Sequence, residues 1–176
     1  MLLKTMKSLF GIKYRGRMKN MSSFIDTHVH LNADQYDEDL QQVIQRAIDA
    51  KVEKMVVIGF DRKTIERAMA LAAEYEFIYV VIGWHPVDAI ECTEEDLLWI
   101  EELAKDPKVV GIGETGLDYY WDKSPKEIQQ FWFRKQIKLA QKLNLPIIIH
   151  NRDATADVVR ILQEENAASV GGIMHC

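Results

Sequence analysis

Three things are missing from this 176-residue chain: a disulfide framework, a membrane-spanning run and a glycine-rich phosphate loop. Each absence narrows what it can be. Cys92 and Cys176 are its only cysteines, which is the expectation for a protein of a reducing compartment, the cytoplasm by default. No apolar run approaches the roughly 18 residues that cross a bilayer, so the chain reads as soluble, with no membrane partner. No low-complexity stretch divides it, so a single domain is expected. Acidic side chains are missing from residues 1–20, which carry Lys4, Lys7, Lys13, Arg15, Arg17 and Lys19 instead. With a formal charge of -5 overall, the remainder is near -11. That balance argues against broad, sequence-independent binding of duplex nucleic acid, which needs a basic face. It leaves room for a locally basic cleft. We read residues 1–20 as a basic, flexible extension before a domain covering 21–176. An organellar or secretory address is the alternative, but no small-residue cleavage site follows the short apolar stretches.

What is present is alternation. A chain with 48% hydrophobic and 28% charged residues suits an ordinary globular core. From residue 24 onward, short runs rich in Val and Ile (24–25, 55–58, 78–82, 109–112, 147–149 and 173–174) alternate with segments of helical period. This is the pattern of a mostly parallel α/β sheet. Leu40, Val43, Ile44, Ala47 and Ile48 make one helical stripe, and Ile65, Ala68, Met69 and Ala72 a second. The third helix is expected to begin at Thr93, with Asp96 reaching back to it, and to bury Leu97, Ile100 and Ala104. For the fourth, Ser124 reads as the cap, Pro125 as the first helical residue and Glu127 as the third, with an end near Leu143 before Pro146. Val158, Ile161 and Leu162 mark a fifth.

The pattern predicts six strands and five helices. An eight-unit barrel takes about 250 residues. The expected fold class is therefore α/β, a (β/α) TIM-type barrel with about six of its eight units in this chain. An open doubly wound sheet would be complete at this length, yet no glycine-rich loop follows the first strand.

All five histidines, His28, His30, His85, His150 and His175, fall just after one of the apolar runs. Loops at the carboxyl ends of parallel strands open on one face, so residues distant in sequence converge there. In an extended chain His28 and His30 point to the same side and can share a cation, while Val29 faces away. Asp26 either orients one of them or caps the turn. Glu114, among Gly111, Gly113 and Gly116, places a carboxylate after the fourth strand; a carboxylate can bridge two cations, which makes it the candidate shared ligand. His150 reads as a ligand or as a hydrogen-bonded core histidine, and His175 as a ligand in the equivalent place after the sixth strand. Arg152 can present its fork to a phosphate, or pair with Asp153. His85, beside Pro86, is assigned to substrate contact rather than to metal. Tyr119 and Trp121 offer rings for stacking on a base or sugar, or for simple packing. Cys176 reads as a packing residue.

Several segments together resemble the TatD family of metal-dependent deoxyribonucleases, among the amidohydrolase-like barrels. They are Asp26-Thr27-His28-Val29-His30-Leu31, Gly83-Trp84-His85-Pro86, Gly113-Glu114-Thr115-Gly116-Leu117-Asp118-Tyr119, Pro146-Ile147-Ile148-Ile149-His150-Asn151-Arg152 and Met174-His175-Cys176. The resemblance covers 21–176. It implies two divalent cations, one on His28 and His30, the other on His150 and His175, with Glu114 between them as the catalytic residue. The family also uses an aspartate after a later strand, in a motif beyond this chain, and Asp26, Asp118 and Asp153 do not replace it. Imidazole-rich coordination admits zinc, manganese or iron, and the resemblance adds magnesium.

The implied reaction is hydrolysis of DNA phosphodiester bonds, at single strands or frayed ends, by a water activated between the two cations. His85 and Arg152 would hold the phosphate. One rival is a related barrel hydrolase acting on a non-nucleic-acid ester or amide. Another is an inactive truncated fragment.

Overall fold

A computed structural model describes residues 23–121 and 123–175. The basic start, the expected boundary near Met21 and Cys176 lie outside the described residues. The six strands are β1 (Phe24–Val29), β2 (Val52–Gly59), β3 (Ile78–Ile82), β4 (Val109–Asp118), β5 (Ile147–Arg152) and β6 (Gly172–His175). They form one parallel sheet in the order β1-β2-β3-β4-β5-β6. Strands adjacent in sequence are adjacent in the sheet throughout. A doubly wound sheet reverses its order at a switch point, whereas a (β/α) barrel does not. The arc also curls: the His28 and His175 rings, on strands at opposite edges, lie 4.3 Å apart between centroids. The fold is six β/α units of a TIM-type barrel.

The connections carry α1 (Leu40–Asp49), α2 (Arg62–Glu74), α3 (Glu94–Leu103), α4 (Lys126–Leu143) and α5 (Thr155–Glu164), with short 3-10 turns at Asp34–Tyr36, Pro86–Glu91 and Ala167–Ser169. Two starts are capping boxes, Asp61 with Thr64 at α2 and Thr93 with Asp96 at α3. Each satisfies end amides that the helix cannot pair itself. The start of α4 departs from the sequence expectation. Pro125 is its cap, with no side-chain hydrogen bond, and the helix begins at Lys126. The Ser124 hydroxyl instead donates to the Val87 carbonyl and accepts from the Ile90 amide, tying the Pro86–Glu91 turn to the approach to α4. A competing backbone acceptor withdrew the cap.

Alternation along the strands sorts side chains to two faces. Met55, Val57, Ile78, Val80 and Ile147 pack toward the helices with Ile65, Ile100, Phe133 and Ile137. Val56, Ile58, Val81, Val110 and Ile148 form a smaller cluster on the other face. β4 runs well beyond the predicted 109–112, to Asp118, and every residue of it is buried. Its glycines hid the extension, because they carry no β-branched signal.

Among the described residues, no helix is long and apolar enough to cross a membrane.

Candidate metal centre

The centre is built around the end of β4. Thr115 and Leu117 face the helices: the Gln136 amide of α4 donates to Thr115 Oγ1 at 2.7 Å, and Leu117 joins the helix-side core. Glu114, Gly116 and Asp118 alternate with them on the opposite face. Gly116 pairs in register with His150 of β5. Its φ of +142° suits only glycine, and a Cβ there would collide with the His150 carbonyl oxygen. Without a side chain between them, one imidazole spans two carboxylates. His150 Nδ1 lies 3.0 Å from Glu114 Oε1 and His150 Nε2 lies 2.8 Å from Asp118 Oδ2.

Glu114 is only 3% exposed, and its two oxygens face different histidines. Oε2 is 3.5 Å from His28 Nε2 and 4.0 Å from His30 Nε2. Oε1 meets His150 Nδ1 and His175 Nε2. Burial alone would raise the Glu114 pKa. Hydrogen bonds with His150 and His28 and the charges of His175 and His85 outweigh it and hold the carboxyl far below the usual range. Asp118 is likewise kept below its ordinary value, against burial, by the Trp121 amide and His150. Burial opposes charging of His150, yet Glu114 and Asp118 raise its pKa. Two buried carboxylates thus make the pocket favour positive charge.

The donor set fits a cation. His28 Nε2 and His30 Nε2 face each other at 3.3 Å, a separation at which two imidazole lone pairs need a proton or a metal ion between them. The ligand atoms of His28, His30 and Glu114 lie within 4.8 Å of one another, and so do those of His85, Glu114 and His150. These two groups share Glu114. They can hold metal ions through nitrogen and carboxylate oxygen.

The structure brings three more of the singled-out residues to the same place. His85, Arg152 and Trp121 line one cavity of about 590 Å³ with His30, Glu114, His150 and His175. Burial, then the nearby His150, pushes the His85 pKa down to about 4, so its imidazole is neutral near pH 7. Its Nδ1 accepts from the Val87 amide at 3.2 Å, which leaves Nε2 as the protonated nitrogen. The Arg152 guanidinium lies over the Tyr120 ring, 3.8 Å from its centroid. Asp26 accepts from the His28 amide at 3.1 Å, which is the turn-capping role.

Sequence reasoning missed Asp118 as the second anchor of His150, and two glutamines that hold the loops. Gln129 accepts from the Asp118 amide and donates to the Asp118 and Ser124 carbonyls. Gln136 accepts from the Trp84 amide and donates to the Trp84 carbonyl. A signal existed: both glutamines sit seven positions apart on α4 and are 1% exposed, on the face that also carries Trp132 and Phe133.

Residues 25–176 match the family model described as TatD related DNase. The chain belongs to the TatD-related DNase family. It is 69% identical over 151 residues to the metal-dependent hydrolase YabD of Bacillus subtilis, covering 86% of this chain and 59% of that protein. It is 36% identical to the 3'-5' ssDNA/RNA exonuclease TatD of Pantoea vagans, covering 86% of this chain and 58% of the relative. Among solved structures, YJJV, a TatD homologue from Escherichia coli, aligns with a TM-score of 0.77 and 32% identity over 85% of this chain and 58% of the other. A TatD family hydrolase from Entamoeba histolytica aligns with a TM-score of 0.79 and 28% identity over 89% and 59%. The chain thus spans about three fifths of the length of these TatD relatives.

Proposed function

We propose that the chain carries most of a two-cation phosphodiesterase centre that hydrolyses DNA, entered by single strands or frayed ends. The observation that carries this reading is the Glu114 carboxylate, buried and turned with one oxygen toward His28 and His30 and the other toward His150 and His175. On this reading His28 and His30 would hold one divalent cation and His150 and His175 the second, with Glu114 shared between them. Magnesium, manganese and zinc are the candidate ions. Bound cations would supply Lewis acidity and lower the pKa of a water.

The remaining work belongs to this chain's own side chains. Glu114 stays ionised and acts as the catalytic carboxylate. Asp118 keeps the His150 proton on Nε2, so that Nδ1 faces the centre. Arg152, stacked on Tyr120, offers paired N–H groups to a phosphate. His85, neutral and protonated on Nε2, donates to a phosphate oxygen. Relatives named as ssDNA/RNA exonucleases support a nucleic-acid substrate. A cytoplasmic setting accords with the buried free thiol of Cys92.

The test is metal content by mass spectrometry beside hydrolysis of a single-stranded DNA oligomer. The wild-type chain is expected to hold two cations and His28→Ala one. Glu114→Gln is expected to lose both and to slow hydrolysis at least about a thousandfold, since several kcal/mol of charge stabilisation goes with them. Unchanged stoichiometry in His28→Ala would sink the ligand assignment. Turnover of a carboxylic ester with no release of nucleotides would favour the non-nucleic-acid rival.

A further inference from the structure

Three aromatic residues in a row, Tyr119, Tyr120 and Trp121, follow β4 at the mouth of the cavity. Only the first is committed to packing. The Tyr119 hydroxyl donates to Asp157 and accepts from Gln130, and its amide donates to the Arg152 carbonyl at 2.9 Å. Tyr120 and Trp121 are instead 55% and 53% exposed, although burying such rings is strongly favourable. They stand edge to face, 4.9 Å apart.

The backbone that carries these rings is held in place. The amides of Tyr120 and Trp121 both donate to Asp118 Oδ1 at 3.0 Å, while Oδ2 of the same carboxylate holds His150. Asp118 therefore fixes the aromatic pair relative to the metal centre. Arg152 completes the arrangement, over Tyr120 and 5.7 Å from the Trp121 ring centroid. Trp121 and Arg152 line the same cavity as Glu114 and His150. An exposed ring that is already ordered loses little freedom when a ligand covers it. The complementary ligand is a flat ring carrying a negative charge beside it, and a nucleotide has that form.

The geometry points to a base-stacking subsite in which Trp121, backed by Tyr120 and Arg152, receives the nucleobase next to the phosphate at the metal centre. The inference rests on the nucleic-acid reading above and adds a residue that grips the base. Stacking of this kind tolerates any base, because each has a π-face. Trp121 thus sets a preference for stacked, unpaired ends and not for sequence.

The test is equilibrium binding of fluorescein-labelled, phosphorothioate single-stranded oligonucleotides to the manganese-loaded protein. One oligonucleotide is intact and one carries abasic residues at the two terminal positions of each end. The wild type is expected to bind the abasic strand about tenfold more weakly. Trp121→Ala should bind the intact strand about tenfold more weakly and the abasic strand as the wild type does, with Trp121→Phe recovering most of the loss. Equal affinity of the wild type for both strands, or an equal loss on both strands in Trp121→Ala, overturns the subsite while leaving the nuclease reading standing. A fall in manganese stoichiometry in Trp121→Ala also overturns it, by making the contact structural. If neither strand binds the wild type, the nucleic-acid reading fails and the subsite with it.

Discussion

The central strands and the edge strands of this sheet contribute to one site under different physical conditions. β4 is buried along its whole length. Its Glu114 and Asp118, with His150 of β5, form a bonded unit that Gln129 of α4 and the Tyr120 and Trp121 amides also hold. β1 and β6 lie at the two edges, and Phe24 and Met174 are 57% and 49% exposed. His28, His30 and His175 reach the centre from there through one carboxylate, Glu114, and through each other. The centre of the sheet holds its geometry by packing and hydrogen bonds. The edges depend on what occupies the middle.

If that contrast is correct, the largest effect on stability comes from the centre. Phe133 of α4 is fully buried in the helix-side core. Phe133→Ala removes a ring that well-packed neighbours cannot replace, and it should cost about 3–5 kcal/mol, read by urea denaturation. A cost below about 1 kcal/mol would mean that the centre is as yielding as the edges.

A smaller effect separates two aspartates. Asp118→Asn keeps an oxygen for the Tyr120 and Trp121 amides but turns an NH2 group toward His150 Nε2. The imidazole must then carry its proton on Nδ1, the nitrogen that faces Glu114. Metal affinity should fall about 10- to 100-fold with little change in thermal stability, measured by isothermal titration with manganese. Asp26→Asn is the edge counterpart. Among the described residues, Asp26 accepts from the His28 amide, a role that asparagine retains, so affinity should stay within about twofold. Equal losses in the two variants would erase the distinction between centre and edge.

The same contrast governs how much was legible in the sequence. The order of strands followed from β-branched runs, and the gathering of the histidines followed from parallel topology, since strand ends share a face whatever the side chains do between them. His28 and His30 were legible as a pair because period-two alternation needs no tertiary information. The partner of His150 was not. Its contact with Asp118 depends on Gly116 having no side chain, on the register of β4 against β5 and on the fixing of Asp118 by Gln129. None of these is a local property. Ser124 failed for a related reason: a helix-cap pattern describes what a hydroxyl can reach nearby, and here the Val87 carbonyl, remote in sequence, was the better acceptor. Tyr119 and Trp121 looked equivalent in sequence and separated only when α4 and α5 supplied Gln130 and Asp157 to the first of them.

The smallest effect is expected at the edge itself. Met174 of β6 turns to the helix side, where Ile147, Ile149, Val159 and Leu162 line a groove of about 570 Å³ with it. Complete burial of a methionine side chain contributes roughly 1.5–3 kcal/mol, and Met174 is 49% exposed, so only part of that is at stake. Met174→Ala should therefore cost less than about 1 kcal/mol in the same urea titration. The neighbouring exposed Val159 gives an independent comparison on α5, and its truncation to alanine should fall in the same range. A cost of about 2 kcal/mol or more for Met174→Ala would place the residue among buried side chains. The groove would then be covered in solution, and β6 would belong with the central strands.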